Sequence, residues 1–240
     1  MMIAGIVATA VMVGAGIAIT LPSYFRPGPT VLLSYSFSSE QNMPTLCLEL
    51  ADYLKKNELP AVVFLSGEIA EKYPECVRSF DGIVDIGSST YSYVELPAIQ
   101  DYSEQLNEVS GGKNAVDIAG NLDSRAFKAP FGSTDENIYS LLTRSGILAD
   151  FSYPDRYHKY YQDKFIWFDI TVYNTTSTIS AESFETMGSN EKQIIVQVDF
   201  DDSVTFEKVQ EVVSKLKTER VVFINASTLT GMQLTVRGGE

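Results

Sequence analysis

The chain has 240 residues, 45% of them hydrophobic and 20% charged, enough to bury one full core in a single domain. Its 31 acidic residues against 18 basic ones leave a formal net charge of -13. That balance excludes nucleic acid as a partner class, because binding a phosphate backbone needs clustered lysine and arginine to release counterions.

Residues 1–22 read "MMIAGIVATAVMVGAGIAITLP" without a charged side chain, about the length that crosses a bilayer core. This stretch is expected to be a single transmembrane anchor, and Gly5, Ala8, Gly14 and Ala18 would let it pack closely against other membrane proteins. The alternative is a cleaved signal peptide, which would need a basic start and a small-residue cleavage site that the stretch lacks. Arg26 beyond the anchor is weak evidence on orientation. The sequons at Asn174-Thr175-Thr176 and Asn225-Ala226-Ser227 permit an outside location. The soluble domain is accordingly expected on the extracytoplasmic side of the membrane.

Residues 23–29 form a linker broken by proline and glycine. Short β-rich runs then alternate with amphipathic helical patterns, which predicts an α/β fold with a mainly parallel sheet over residues 30–232 and a short tail over 233–240. The strands are predicted at 30–37, 61–65, 82–86, 126–129, 149–153, 166–170, 193–198 and 220–224, most of them apolar on both faces as buried parallel strands are. Leu46, Leu50, Tyr53 and Leu54 make one helical core stripe, and Val209, Val212, Val213 and Leu216 another. Cys47 falls near the start of one helix and Cys76 near the end of the next, so the two are expected about two or three turns apart and unpaired.

If the strands close into a barrel, chemistry belongs at their C-terminal ends, where the βα loops converge. Those ends carry "SFSSE" at 36–40, "DIGSSTYSY" at 85–93, "KAPFG" at 128–132 and "QIIVQVDFDD" at 193–202. In order and spacing these blocks, together with "AVVFLSG" at 61–67, resemble the polysaccharide deacetylases of the NodB type. Members of that family typically read "TFDDG", "ATFFxxG", "EIGxHTxxH" and "RxPxG" and act on acetyl groups of glycans. The resemblance covers about residues 30–230 and implies an irregular (β/α) barrel. It also implies an aspartate that activates water, an aspartate and two histidines that hold a divalent metal, an arginine that orients the base, and a late-strand histidine.

At every one of those positions this chain differs. Ser38 stands for the base, Ser39, Ser89 and Tyr93 for the metal ligands, Lys128 for the arginine and Asp199 for the late histidine. A catalytic zinc needs about three imidazole or carboxylate ligands to make hydroxide near neutral pH, and neutral hydroxyls do not supply that field. The chain's only histidine, His158, lies in "YPDRYHKYYQD", outside the aligned blocks and expected in a surface loop. No cofactor is expected. The serines lack a general base and a G-x-S-x-G elbow, and the acids of "DFDD" fit the start of a helix better than a glycosidase pair.

Tyr91, Tyr93, Phe131 and Trp167 fall at or near the loop face, where aromatic rings suit an amphipathic ligand. Three functions remain. The first is a membrane-anchored, non-catalytic protein that binds glycan or another envelope component through the old cleft. The second is a structural or regulatory subunit of a membrane assembly. The third is a residual hydrolase working through Asp199 and Lys128.

Overall fold

A computed structural model describes residues 29–37, 43–82, 84–152, 156–161, 164–169, 171–174, 193–200, 206–218 and 221–238, with the backbone alone for the strand residues of 156–174 and for residue 193. The predicted anchor, the serines at 38 and 39, and the acids at 201 and 202 lie outside the described residues. Among the described residues no helix is long and apolar enough to cross a membrane.

The strands are β1 (Thr30–Phe37), β2 (Ala61–Leu65), β3 (Asp85–Ser88), β4 (Leu122–Ser124), β5 (Ala126–Phe127), β6 (Ala149–Asp150), β7 (Arg156–Tyr161), β8 (Lys164–Asp169), β9 (Thr171–Asn174), β10 (Gln193–Phe200), β11 (Val222–Ile224) and β12 (Thr235–Arg237). The helices, in chain order, are α1 (Thr45–Lys56), α2 (Gly67–Lys72), α3 (Pro74–Ser79), α4 (Tyr102–Gly120), α5 (Ile138–Arg144), α6 (Phe206–Thr218) and α7 (Ala226–Thr230). The main sheet runs β8-β7-β6-β5-β3-β2-β1-β10-β9, with β11 paired to the start of β1. The predicted barrel is thus an open half-barrel among the described residues, with β8 and β9 at its ends.

Parallel register explains how one sheet builds two cores. Residues of one parity on β1 and its neighbours, among them Val31, Leu33, Tyr35, Val63, Ile86 and Val196, pack against α1, α3 and α6. The other parity, Leu32, Val62, Phe64, Ala126, Ala149 and Ile195, fills the concave side with Leu229 of α7 and Leu234. The predicted stripes behave as core, with Leu50, Leu54, Val209, Val212, Val213 and Leu216 all buried.

The chain departs from the sequence expectation in three places. "RYHKYY" is strand β7, not a surface loop, and forms an antiparallel hairpin with β8 in which His158 pairs with Trp167. Residues 235–237, in the expected tail, pair with β4 as β12. Cys47 and Cys76 are joined by a disulfide with their Cα atoms 5.7 Å apart. The pairing expectation failed because β2 is followed by two short helices rather than one. Pro74 at the first turn of α3 starts a new helix, and α3 packs on α1.

The bridge closes a loop of 29 residues, and reducing it, or replacing both cysteines by serine, is expected to cost about 3–4 kcal/mol of stability through the freed unfolded chain. Urea unfolding with and without reductant measures this. Superimposable curves would mean that the thiols are not linked in solution.

Candidate functional site

The concave face turns polar toward the C-terminal ends of the strands. Ser36 pairs in register with Asp199, and Ser88 with Phe127, which places Ser36, Asp199, Ser89 and Lys128 on the inner face around one point. There the Lys128 ammonium donates to Ser36 Oγ at 2.7 Å and to Asp199 Oδ1, with which it forms an ion pair. Gln197 Nε2 donates to the other Asp199 oxygen at 2.9 Å. Lys128 is 4% exposed, and a buried ammonium persists only when paired and hydrogen-bonded. Burial pushes the Lys128 pKa down while the Asp199 charge pulls it back up. For Asp199 burial acts against ionisation, yet the Lys128 charge and the bonds from Lys128, Gln197 and Ser36 hold its carboxyl below the usual range. The pair is an ion pair.

The loop after β3 is held as firmly. Thr90 Oγ1 accepts from the Val94 N–H at 3.1 Å, closing a turn. Glu108 of α4 accepts from the Ser92 N–H at 2.9 Å and from Ser92 Oγ at 2.6 Å. A side chain at Gly112 would collide with the Ser89 carbonyl at 2.1 Å, so only glycine lets α4 lie this close. The result is Tyr93 at φ 55, in the left-handed region where a large side chain is strained. On the facing loop Phe131 adopts φ 56, within the 3-10 turn Pro130–Gly132. Gly132, at φ 67, takes the left-handed conformation that lets the chain pass against the Ser152 carbonyl. The two strained aromatics meet edge to face, ring centroids 5.5 Å apart, and Phe131 is 72% exposed.

The supports of this second loop were not legible as functional residues. Ser152 Oγ accepts from the Ala129 N–H at 2.8 Å and donates to Asp150. Gln105, buried on α4, donates to the Leu96 carbonyl at 3.0 Å and to Asp135 at 2.6 Å, tying both rims together. Ser36, missed as well, could have been found from the alternation in "LSYSF", which places it on the same face as Leu32.

Among the predicted ligand-binding residues, the structure brings Tyr93 and Phe131 together and turns Tyr91 away. The Tyr91 hydroxyl donates to Glu71 at 2.8 Å, and its ring fills the space over Gly67 and Gly111 between α2 and α4. Trp167 sits in edge strand β8. Of the positions expected to have lost catalysis, Lys128 and Asp199 join, Ser89 faces them with a buried Oγ that has no partner among the described residues, and Ser38 and Ser39 are outside the described residues.

A sequence model of the family described as polysaccharide deacetylase matches residues 26–149. The chain belongs to the polysaccharide deacetylase family. Solved structures share the fold. The Bc1960 peptidoglycan N-acetylglucosamine deacetylase is similar at 17% identity and TM-score 0.62, over 86% of this chain and 92% of that one. A family 4 carbohydrate esterase from Streptomyces lividans, solved with acetate, is similar at 17% identity and TM-score 0.60, over 89% and 98%. A mutant of BA3943, described as a CE4 family pseudoenzyme with restored enzymatic activity, is similar at 16% identity and TM-score 0.62, over 85% and 68%. No curated protein matches the chain.

Members of this family hold a divalent metal, and the residues here do not fit one. Among the described residues the inner face offers hydroxyls, one carboxylate already engaged by Lys128 and Gln197, and an ammonium, which has three donors and no lone pair. Among the described residues no three His, Cys, Asp or Glu side chains converge. No chemical step is therefore derived through a metal.

Breaking the buried pair from one side should be costly. Asp199→Leu is expected to lose about 3 kcal/mol, because it strands the Lys128 charge, whereas Lys128→Met combined with Asp199→Leu should cost far less than the sum of those two changes made singly. Urea unfolding of the four proteins checks this, and additive effects would show that the two groups are not coupled.

Asp150 gives a pH signature. Burial pushes its carboxyl up from 3.8 to about 7, against the bonds from the Ser152 side chain and N–H. The folded state thus holds the proton more tightly than the unfolded state. The contribution of Asp150 is full below about pH 4 and is lost as the pH rises through about 7, at up to about 1.4 kcal/mol per pH unit. The stability difference between wild type and Asp150→Asn, followed by urea unfolding across that window, should fall accordingly. A flat difference would place the Asp150 titration at the ordinary carboxylate value.

Proposed function

We propose that this chain is a membrane-anchored polysaccharide deacetylase-like protein without hydrolase activity, and that it binds a glycan or another cell-envelope component through the cleft at the strand ends. The observation that carries this reading is the ion pair of Lys128 and Asp199, bonded to Ser36, where the family gathers its catalytic groups. With Asp199 held as the counter-ion of Lys128, the ion pair offers no free base to activate water, and its ammonium repels a cation. The family contains precedent, since one neighbour is itself described as a pseudoenzyme.

Binding is favoured by what remains at the mouth. Phe131 projects into solvent on a loop braced by Ser152 and Asp150, and Tyr93 supports its ring from the side. An exposed aromatic held in a strained backbone conformation is a pre-organised platform for the apolar face of a sugar ring. The disulfide between Cys47 and Cys76 favours an oxidising, extracytoplasmic location, in keeping with residues 1–22 as the anchor of the domain that starts at residue 30.

The test combines metal analysis, acetate release and titration with chitin oligomers on the purified protein. The expected result is no stoichiometric zinc, no acetate released from chitin oligomers or acetylated peptidoglycan, and measurable oligomer binding. Phe131→Ala should weaken that binding about fivefold, the loss of roughly 1 kcal/mol of ring contact. Stoichiometric zinc would overturn the reading. Acetate release abolished by Asp199→Asn would replace it with the residual hydrolase.

A further inference from the structure

The opposite end of the domain carries a different charge. Helices α1 and α6 lie side by side and both finish at the strand-start end, with Lys55 and Lys56 in the last turn of one and Lys215 and Lys217 in the last turn of the other. Lys217 Nζ donates to Asn57 Oδ1 at 3.1 Å, so the two helix ends meet. Immediately after α6 the chain enters β11, whose first residue, Val222, pairs with Thr30. The Val222 side chain is 46% exposed, and its N–H donates to the Pro29 carbonyl at 3.0 Å. The start of β1, which the chain reaches from residues 1–28, thus lies at the same end of the sheet as these four lysines and the exposed Val222.

Basic residues at a helix C-terminus complement its dipole, and one per helix would serve that purpose. Here two per helix converge; Asp52, Glu58, Glu211 and Glu219 are the acids within four residues of them in sequence, and Glu219 lies outside the described residues. Glu211 engages Lys215 at 2.6 Å and Lys208 at 3.3 Å, while Lys55, Lys56 and Lys217 are exposed and outside any ion pair among the described residues. At the cleft end the exposed charges are of the other sign, with Glu95, Asp101 and Glu136 on the rim. A chain of net charge -13 is repelled by an anionic surface everywhere except where its own cations gather. Residues 23–29 reach no further than about 25 Å from the end of the anchor, which confines this lysine face to the neighbourhood of the bilayer.

We propose that the lysine face formed by Lys55, Lys56, Lys215 and Lys217 around Val222 seats the domain on an anionic bilayer surface, the one its anchor enters. The seat rests on the anchor reading for its proximity and fixes the domain with the Phe131 and Tyr93 cleft pointing away from the membrane. Strand β1 has 8 residues, so the cleft stands about 25 Å above the seat, at a height suited to envelope polymer rather than lipid headgroups.

The test uses the full chain on vesicles of phosphatidylcholine alone and of an equal mixture with phosphatidylglycerol, read by amide hydrogen exchange. On the mixed vesicles, exchange across 53–59, 214–218 and 221–224 should slow by roughly threefold or more relative to the neutral ones. High salt should remove the difference. So should the combined change of Lys55, Lys56, Lys215 and Lys217 to glutamine, with the protein still vesicle-bound, and Val222→Asp alone should reduce it. Equal exchange on both vesicles would overturn the seat, as would protection confined to the loop of Phe131. Release from neutral vesicles by alkaline carbonate would remove the anchor, and persisting protection on mixed vesicles would then support the seat on its own.

Discussion

A buried ammonium sets the terms for everything around it. Lys128 enters the half-barrel from the end of β5, and in that low-dielectric space its charge is tolerable only with partners. Asp199 supplies the opposite charge, Ser36 a neutral acceptor, and Gln197 the donor that occupies the second carboxylate oxygen. Each of these groups is committed to the others. The parallel register of β1 and β10 brings Ser36 and Asp199 level, so the site is a direct product of sheet pairing and needs no loop to assemble it. A divalent metal at such a place would demand free lone pairs, and here the Asp199 and Ser36 oxygens already accept from Lys128 and Gln197.

The rim follows a different logic. Tyr93 and Phe131 each hold a left-handed conformation that costs on the order of 1–3 kcal/mol, and such strain persists only where the surroundings over-determine it. Thr90 and Glu108 supply that constraint on one side, and Ser152 with Asp150 on the other. Gln105 spans the two loops from beneath. A chain that needed only to fill the hole left by a metal centre would require none of this bracing.

How much of this was written in the sequence depends on the range of the interactions involved. Strands β1 and β2 match their predicted bounds, because an apolar run bounded by turn residues is a local signal. The helical stripes of α1 and α6 are local too. The blocks at the strand ends carried the family resemblance through residues such as the glycine of "DIGSS", which the framework requires whatever the chemistry. "RYHKYY" was misread because its polar tips look like a loop, although its tyrosines favour a strand. The disulfide and the Gln105 bridge were out of reach, since each depends on where a separate element turns. Pro74 redirects α3 toward Cys47, and Gln105 meets Asp135 across 30 residues of chain.

Composition concealed an asymmetry as well. A net charge of -13 averages over two ends of opposite character. In an α/β fold whose helices run antiparallel to its parallel strands, helix N-termini gather at the strand ends and C-termini at the strand starts. Helix dipoles then favour acids near the cleft and bases at the far pole. Part of the polarity is thus a consequence of the architecture. In this chain the start of β1 lies at the basic pole and the aromatic cleft at the other. Both poles are stabilised by ordinary helix electrostatics.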